Sequence, residues 1–111
     1  MYGGRKNNNG FHEIWGLRKH RDGSWDWTKP PNQNGPNDKI GGRYQHSGIV
    51  YGSLMINVGG KSNDNQCNNK FSVYDFDTLN WYEITGIGCF RHVAFIHGTT
   101  LYIHGGLNNN N

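Results

Sequence analysis

His46-Ser-Gly-Ile-Val-Tyr-Gly-Ser-Leu-Met-Ile-Asn-Val-Gly-Gly60 and His92-Val-Ala-Phe-Ile-His-Gly-Thr-Thr-Leu-Tyr-Ile-His-Gly-Gly106 are one phrase written twice, 46 residues apart. The two copies align without a gap. Gly52 matches Gly98, Ile49-Val50 match Phe95-Ile96, and Leu54, Ile56 and Val58 match Thr100, Tyr102 and His104. Each copy reads as an apolar run, a turn at Tyr51-Gly52-Ser53 or His97-Gly98-Thr99, and a second run ending in a glycine pair. That order predicts an antiparallel hairpin. No segment repeats apolar residues at helical spacing over a useful length, so the chain is expected to be all-β.

Working outward, Met1-Tyr2-Gly3-Gly4 is a third trace of the same ending, 56 residues before the second. A recurrence at this spacing marks a repeat architecture, in which each unit is too small to bury its own apolar face and must stack on its neighbours. After Gly59-Gly60 comes a polar loop and then Phe71-Ser-Val-Tyr-Asp-Phe76, a turn, and Trp81-Tyr-Glu-Ile84. After Gly3-Gly4 come Glu13-Ile-Trp-Gly-Leu17, the strong turn signal Asp22-Gly23, and Trp25-Asp-Trp-Thr28. Gly4 to Trp25 and Gly60 to Trp81 are both 21 residues, so spacing makes Trp25 and Trp81 equivalent and predicts both as plates packed between sheets. One unit is thus four short strands. Residues 1–31 read as the end of one unit, 32–42 as a linker rich in Pro, Asn and Gly, 43–86 as a complete unit, and 87–111 as the first half of the next with an Asn-rich end.

Composition fits ordered strands joined by polar loops. Apolar residues are only 33% and sixteen asparagines gather in runs, yet aromatics reach 14%, which a disordered chain would lack. The formal charge of +3 is spread along the sequence except at Arg18-Lys19-His20-Arg21, the default tip of a solvated hairpin. A nucleic-acid surface would call for a broader basic stripe. Cys67 and Cys89 do not form a disulfide framework, so a reducing compartment, cytoplasmic or nuclear, is expected. No leader-like segment and no span long enough to cross a bilayer is read from the sequence, so no membrane partner is expected.

The glycine pairs, the aromatic residues that follow them and the spaced Trp resemble the kelch repeat over nearly the whole chain. The resemblance implies blades of a β-propeller, each a four-stranded antiparallel sheet, with about two blade-equivalents here. Gly3, Gly4, Gly59, Gly60, Gly105, Gly106, Trp25, Trp81, His46 and His92 are its repeat markers. It departs from the pattern at Cys89, where the preceding unit has Arg43. A narrower stretch, Trp15 to Pro31 followed by Arg43-Tyr-Gln-His-Ser47, is similar to the kelch region of kelch-domain Ser/Thr protein phosphatases. That likeness implies a parent phosphatase with a two-metal site of the Mn/Fe type. None of the family's Gly-Asp-x-His-Gly, Gly-Asp-x-Val-Asp-Arg-Gly or Gly-Asn-His-Glu motifs occurs in this chain, so no catalytic residue and no cofactor are expected in it. A kelch scaffold in a ubiquitin-ligase adaptor or a cytoskeletal protein is the alternative, and an oxidase-type kelch enzyme with Tyr and Cys copper ligands is a further one.

Cys89, His92, His97 and His104 suggest zinc by residue type, but their partners one unit earlier are Arg43, His46, Tyr51 and Val58. Only the histidine at 46 and 92 recurs, which points to a structural role. The expected function is a non-catalytic interaction module for a protein partner, a phosphoprotein substrate or regulator, with Arg5, Lys6, Arg43, Lys61 and Arg91 as candidate contacts. Two units cut mid-blade leave open edges, so copies are expected to join head to tail, three of them closing a six-bladed ring.

Overall fold

The computed structural model describes residues 1–7, 9–30, 42–88 and 90–108. Most of the expected linker (32–41), Pro31, Cys89 and the last three asparagines lie outside the described residues. Among those described, every element is a strand and every pairing is antiparallel. The strands are β1 (Arg5–Lys6), β2 (Asn9–Gly10), β3 (Gly16–Lys19), β4 (Trp25–Thr28), β5 (Ser47–Tyr51), β6 (Leu54–Val58), β7 (Lys70–Asp75), β8 (Asn80–Thr85), β9 (Val93–His97) and β10 (Thr100–His104). β5-β6-β7-β8 form one four-stranded sheet in sequence order, while β1-β2, β3-β4 and β9-β10 are two-stranded.

The two copies of the fifteen-residue phrase make matching hairpins. Tyr51 pairs Leu54 around Gly52, and His97 pairs Thr100 around Gly98. Both glycines have positive φ, 58° and 63°, as a tight two-residue connection requires. β7 turns into β8 through Asp75, whose Oδ1 accepts the Asp77 N–H at 2.9 Å and the Ser53 hydroxyl at 3.3 Å. These bonds favour the carboxylate and hold Asp75 below its ordinary pKa, the Asp77 amide contributing most.

Alternation along the strands gives the central sheet two apolar faces. Met55, Tyr74 and Trp81 lie opposite one another on the first face. Ile56, Val73 and Tyr82 lie opposite one another on the second. Tyr2 and Ile14 of the first unit, joined by a single bridge, cover the first face, and these five residues form one buried apolar cluster. Tyr2 sits 5.6 Å from Trp81 and Tyr74 sits 5.1 Å from it, ring centre to ring centre, both within the range for favourable aromatic pairs. Leu101 of β10 reaches the second face.

Strand pairing corrects the equivalence of Trp25 with Trp81. Tyr2 precedes the first glycine pair as Val58 precedes the second. Tyr2 pairs Ile14, and one step beyond the Asn57–Ser72 pair brings Val58 opposite Phe71. Ile14 therefore corresponds to Phe71, and Leu17 to Tyr74. Leu17 faces Trp27, whereas Tyr74 faces Trp81. The true counterpart of Trp81 is Trp27, because the β3–β4 hairpin is longer than the β7–β8 hairpin. Nor is Trp25 packed between sheets: it is 57% exposed, on the same outward face as Trp27 and Leu17. β3 also begins later than Glu13 and runs through Arg18 and Lys19, which the sequence assigned to the hairpin tip.

Candidate interaction rim

The glycine pairs end β6 and β10 and turn the chain back along one rim of the stacked sheets. All six of these glycines have positive φ, between 65° and 100°. At Gly60 a Cβ would stand 2.6 Å from the Tyr44 carbonyl oxygen and 2.8 Å from the His46 Cβ. At Gly106 the same atom would stand 2.9 Å from the Phe90 oxygen and 2.9 Å from the His92 Cβ. The recurring histidine thus sits under the recurring glycine, and only glycine lets the two backbones approach.

Beyond each pair the chain forms a repeated two-bond bridge. Tyr44 and Lys61 exchange backbone hydrogen bonds of 3.0 and 2.8 Å, and Phe90 and Leu107 exchange bonds of 3.0 Å in both directions. These pairs are 46 residues apart in both members. Gln45 and Arg91, also a repeat apart, both have positive φ, 56° and 55°, and the Arg91 N–H donates to the Gln45 carbonyl at 3.3 Å.

The candidate contacts fall at this rim in unlike roles. The Arg5 guanidinium lies 4.6 Å from the Tyr44 ring centre, and the Lys61 ammonium lies 4.2 Å from that of Phe90. Arg5 corresponds to Lys61, and Tyr44 to Phe90, so the cation after one glycine pair caps the aromatic ring of the next unit, twice. Lys6 and Arg91 are exposed. Tyr44 and Phe90 were not singled out from the sequence, although an aromatic two residues before each of His46 and His92 was a readable signal.

Arg43 is not a surface contact. It is fully buried, and its Nη1 donates to the Gly59 carbonyl at 3.0 Å. Its backbone ties two units together: its carbonyl accepts the Gly4 N–H at 2.9 Å and its N–H donates to the Phe11 carbonyl at 3.2 Å. Burial lowers its pKa, opposed chiefly by the neighbouring Tyr2 phenol. Burial also pushes His46 down to about 4, with the Arg43 charge adding to the effect, and lowers His92. Both histidines are neutral structural groups near neutral pH.

The basic hairpin is largely self-engaged. Arg18 forms a two-pronged pair with Asp26 at 3.2 and 3.0 Å, His20 reaches the same carboxylate at 2.9 Å, and Lys19 lies 5.5 Å from the Trp25 ring centre. The Arg18 hydrogen bond is the main reason Asp26 titrates below its ordinary value. Among the described residues no three His, Cys, Asp or Glu side chains converge on a metal position. No helix among them is long and apolar enough to cross a membrane. A scan against protein-family models finds none that matches the chain, and a search of curated proteins finds no match either.

Proposed function

We propose that the chain is a segment of a kelch-type β-propeller and acts as a non-catalytic protein-interaction module. The observation that carries this reading is the rim, where glycine pair, histidine, aromatic residue and two-bond bridge recur at one period. Such a rim is a rigid row of loops, and rigidly held loops are where binding residues concentrate. Arg5, Lys6, Lys61 and Arg91 offer it positive charge, which suits an acidic or phosphorylated protein partner. Arg43 drops out of the contact set because of its burial.

The kelch-phosphatase likeness assigns the parent protein to Ser/Thr dephosphorylation, with the segment recruiting or regulating phosphoprotein substrates. The donors for a two-metal centre are not brought together among the described residues. Metal chemistry on this reading belongs to a domain outside the chain, and no step of it is derived from these residues.

The test is capture of partners from lysate on the wild-type chain and on an Arg5→Glu/Lys6→Glu/Arg91→Glu variant. Loss of partners that return on restoring the charges supports the module. Undiminished recovery refutes the rim assignment. The open reading frame downstream decides the phosphatase assignment: absence of the three phosphatase motifs there overturns it.

A further inference from the structure

The basic hairpin tip is left unused by the proposed module, and Ser24 stands exposed at it. The serine lies across from His20, whose N–H donates to the Ser24 carbonyl at 2.8 Å, one step beyond the Lys19–Trp25 pair. The Ser24 hydroxyl donates to Asp22 Oδ1 at 2.6 Å, and the Ser24 N–H donates to the same oxygen at 2.9 Å. Arg21, three residues before the serine, is exposed and has no ion-pair partner among the described residues. Lys19 lies five residues before it, and apolar Trp25 follows it. Of the ten serines and threonines in the chain, Ser24 alone has an arginine three positions earlier.

This exposure does not come from where the chain begins. Strand alternation puts Ser24 on the side of Asp26 and Arg18, away from Leu17, Trp25 and Trp27. That is also the side of Ile14, which packs against the complete unit. Ser24, Arg18 and Asp26 stay exposed with that unit in place. The matching β7–β8 turn, with the first unit stacked on its sheet, likewise keeps Phe76, Asp77 and Thr78 exposed. The β3–β4 hairpin reaches further still: Leu17 to Trp27 is 10 residues where Tyr74 to Trp81 is 7.

We propose that Ser24 is a phosphorylation site for a basic-directed protein kinase. Such enzymes select substrates by charge, their carboxylates receiving cations that precede the acceptor hydroxyl, and Arg21 and Lys19 supply these. Entry into the kinase cleft extends the tip from Lys19 to Trp25. That opens only the outermost bonds of a two-stranded hairpin, the part of a fold that opens most readily. Ser24 Oγ attacks the γ-phosphorus of Mg-bound ATP held by the kinase. The Oγ–P bond forms as the bond to the β,γ-bridging oxygen breaks; ADP leaves, and the hydroxyl proton passes to the kinase's catalytic carboxylate.

In the product Oγ no longer donates to Asp22, and a phosphate carrying about two negative charges repels that carboxylate. Arg18 and His20 lie on the phosphate's side of the hairpin and pair with it in place of Asp26. The tip, with Arg18, Lys19 and Arg21 against Asp22 and Asp26, changes from net positive to net negative. It sits at the opposite end of the strands from the glycine rim, since Asp75 of the matching turn pairs Leu54 while the glycine pair follows Val58. The proposal therefore holds whether or not the rim binds a partner.

The test is phosphoryl transfer from Mg–ATP to the full chain by a calcium/calmodulin-dependent protein kinase, with an acid-directed casein-type kinase beside it. Tandem mass spectrometry maps the product, and far-ultraviolet circular dichroism follows the folding of each variant. The wild type is expected to take one phosphoryl group, on Ser24, from the basic-directed enzyme alone. Ser24→Ala is expected to take none. Arg21→Gln keeps the serine and is expected to react at least about tenfold less efficiently, as loss of a charged hydrogen bond implies. A peptide of residues 17–28 serves as the unfolded reference, and the folded chain is expected to react at a comparable rate. A peptide that is modified beside a chain that is refused overturns the proposal, because the fold then withholds the serine. So does phosphate spread over other hydroxyls, or an Arg21→Gln chain modified as fast as the wild type.

Discussion

Leu17 lies opposite Trp27, and this pairing, not the distance from the glycine pair, identifies which tryptophan of the first unit answers to Trp81. Trp81 is 5% exposed against Tyr2 and Tyr74, whereas Trp25 is 57% exposed. Trp81→Ala is expected to destabilise the chain by about 3–5 kcal/mol, the usual cost of removing a large aromatic from a core. Trp25→Ala is expected to change folding stability by less than about 0.5 kcal/mol, as for an ordinary surface position. Urea denaturation measures both, and equal losses would refute the register.

Gly60 and Gly52 both have positive φ but differ in what surrounds them. Around Gly52 a Cβ meets nothing within 4 Å, so Gly52→Ala is expected to cost only the left-handed backbone penalty, about 1 kcal/mol. At Gly60 the added atom runs into the Tyr44 carbonyl and the His46 backbone, neither of which can yield without breaking the Tyr44–Lys61 bridge. Gly60→Ala should therefore cost several times more. Similar midpoints for the two variants would show that the rim is looser than its geometry.

His46 makes stability depend on acidity. Its folded pKa, about 4, lies below its ordinary 6.5, because of burial, the Arg43 charge and the nearby His92. The unfolded chain binds the proton first. The contribution is therefore complete above about pH 6.5 and is lost as the pH falls towards 4. At full protonation the loss is on the order of 3 kcal/mol, since one pKa unit is about 1.4 kcal/mol. His46→Gln should flatten the profile between those two values, and denaturation midpoints across that window give the comparison.

Lys61 and Phe90 belong to different units, so their contact holds the stack together from the rim. Lys61→Met keeps the aliphatic stem and removes the charge. A double-mutant cycle with Phe90→Leu should return a coupling of about 0.5–1 kcal/mol, the range for an exposed cation over a ring. Arg5 and Tyr44 should give a coupling of the same sign. A zero in both cycles would reduce the two contacts to coincidence.

The hairpins β5–β6 and β9–β10 were legible because everything that defines them is local: alternating apolar residues, a glycine at the turn and an ungapped second copy. The glycine pairs were legible as endings for the same reason. Trp25 was misplaced because register passes through loops whose lengths differ between units: the connection before the hairpin is one residue shorter in the first unit and the hairpin itself three residues longer, so equal spacing stops two residues short of the counterpart, at another tryptophan. Arg43 misled because its counterpart is Cys89, so periodicity carried no sign of its burial; a charged residue was assigned to the surface by type. The stacking of Arg5 on Tyr44 and of Lys61 on Phe90 crosses between units, and no pattern within one unit encodes it.

The doubling of the Tyr44–Lys61 bridge at Phe90–Leu107 has a genetic consequence. An in-frame excision of residues 44–89 removes one whole period and brings Phe90 to the position of Tyr44, under Arg5, with Arg43 still joined to the chain on its N-terminal side. The seam would meet chemically matched partners on both sides. Duplication across the same boundary would do so as well, which makes this rim the place where a gene of this kind can gain or lose a unit without inventing a new join.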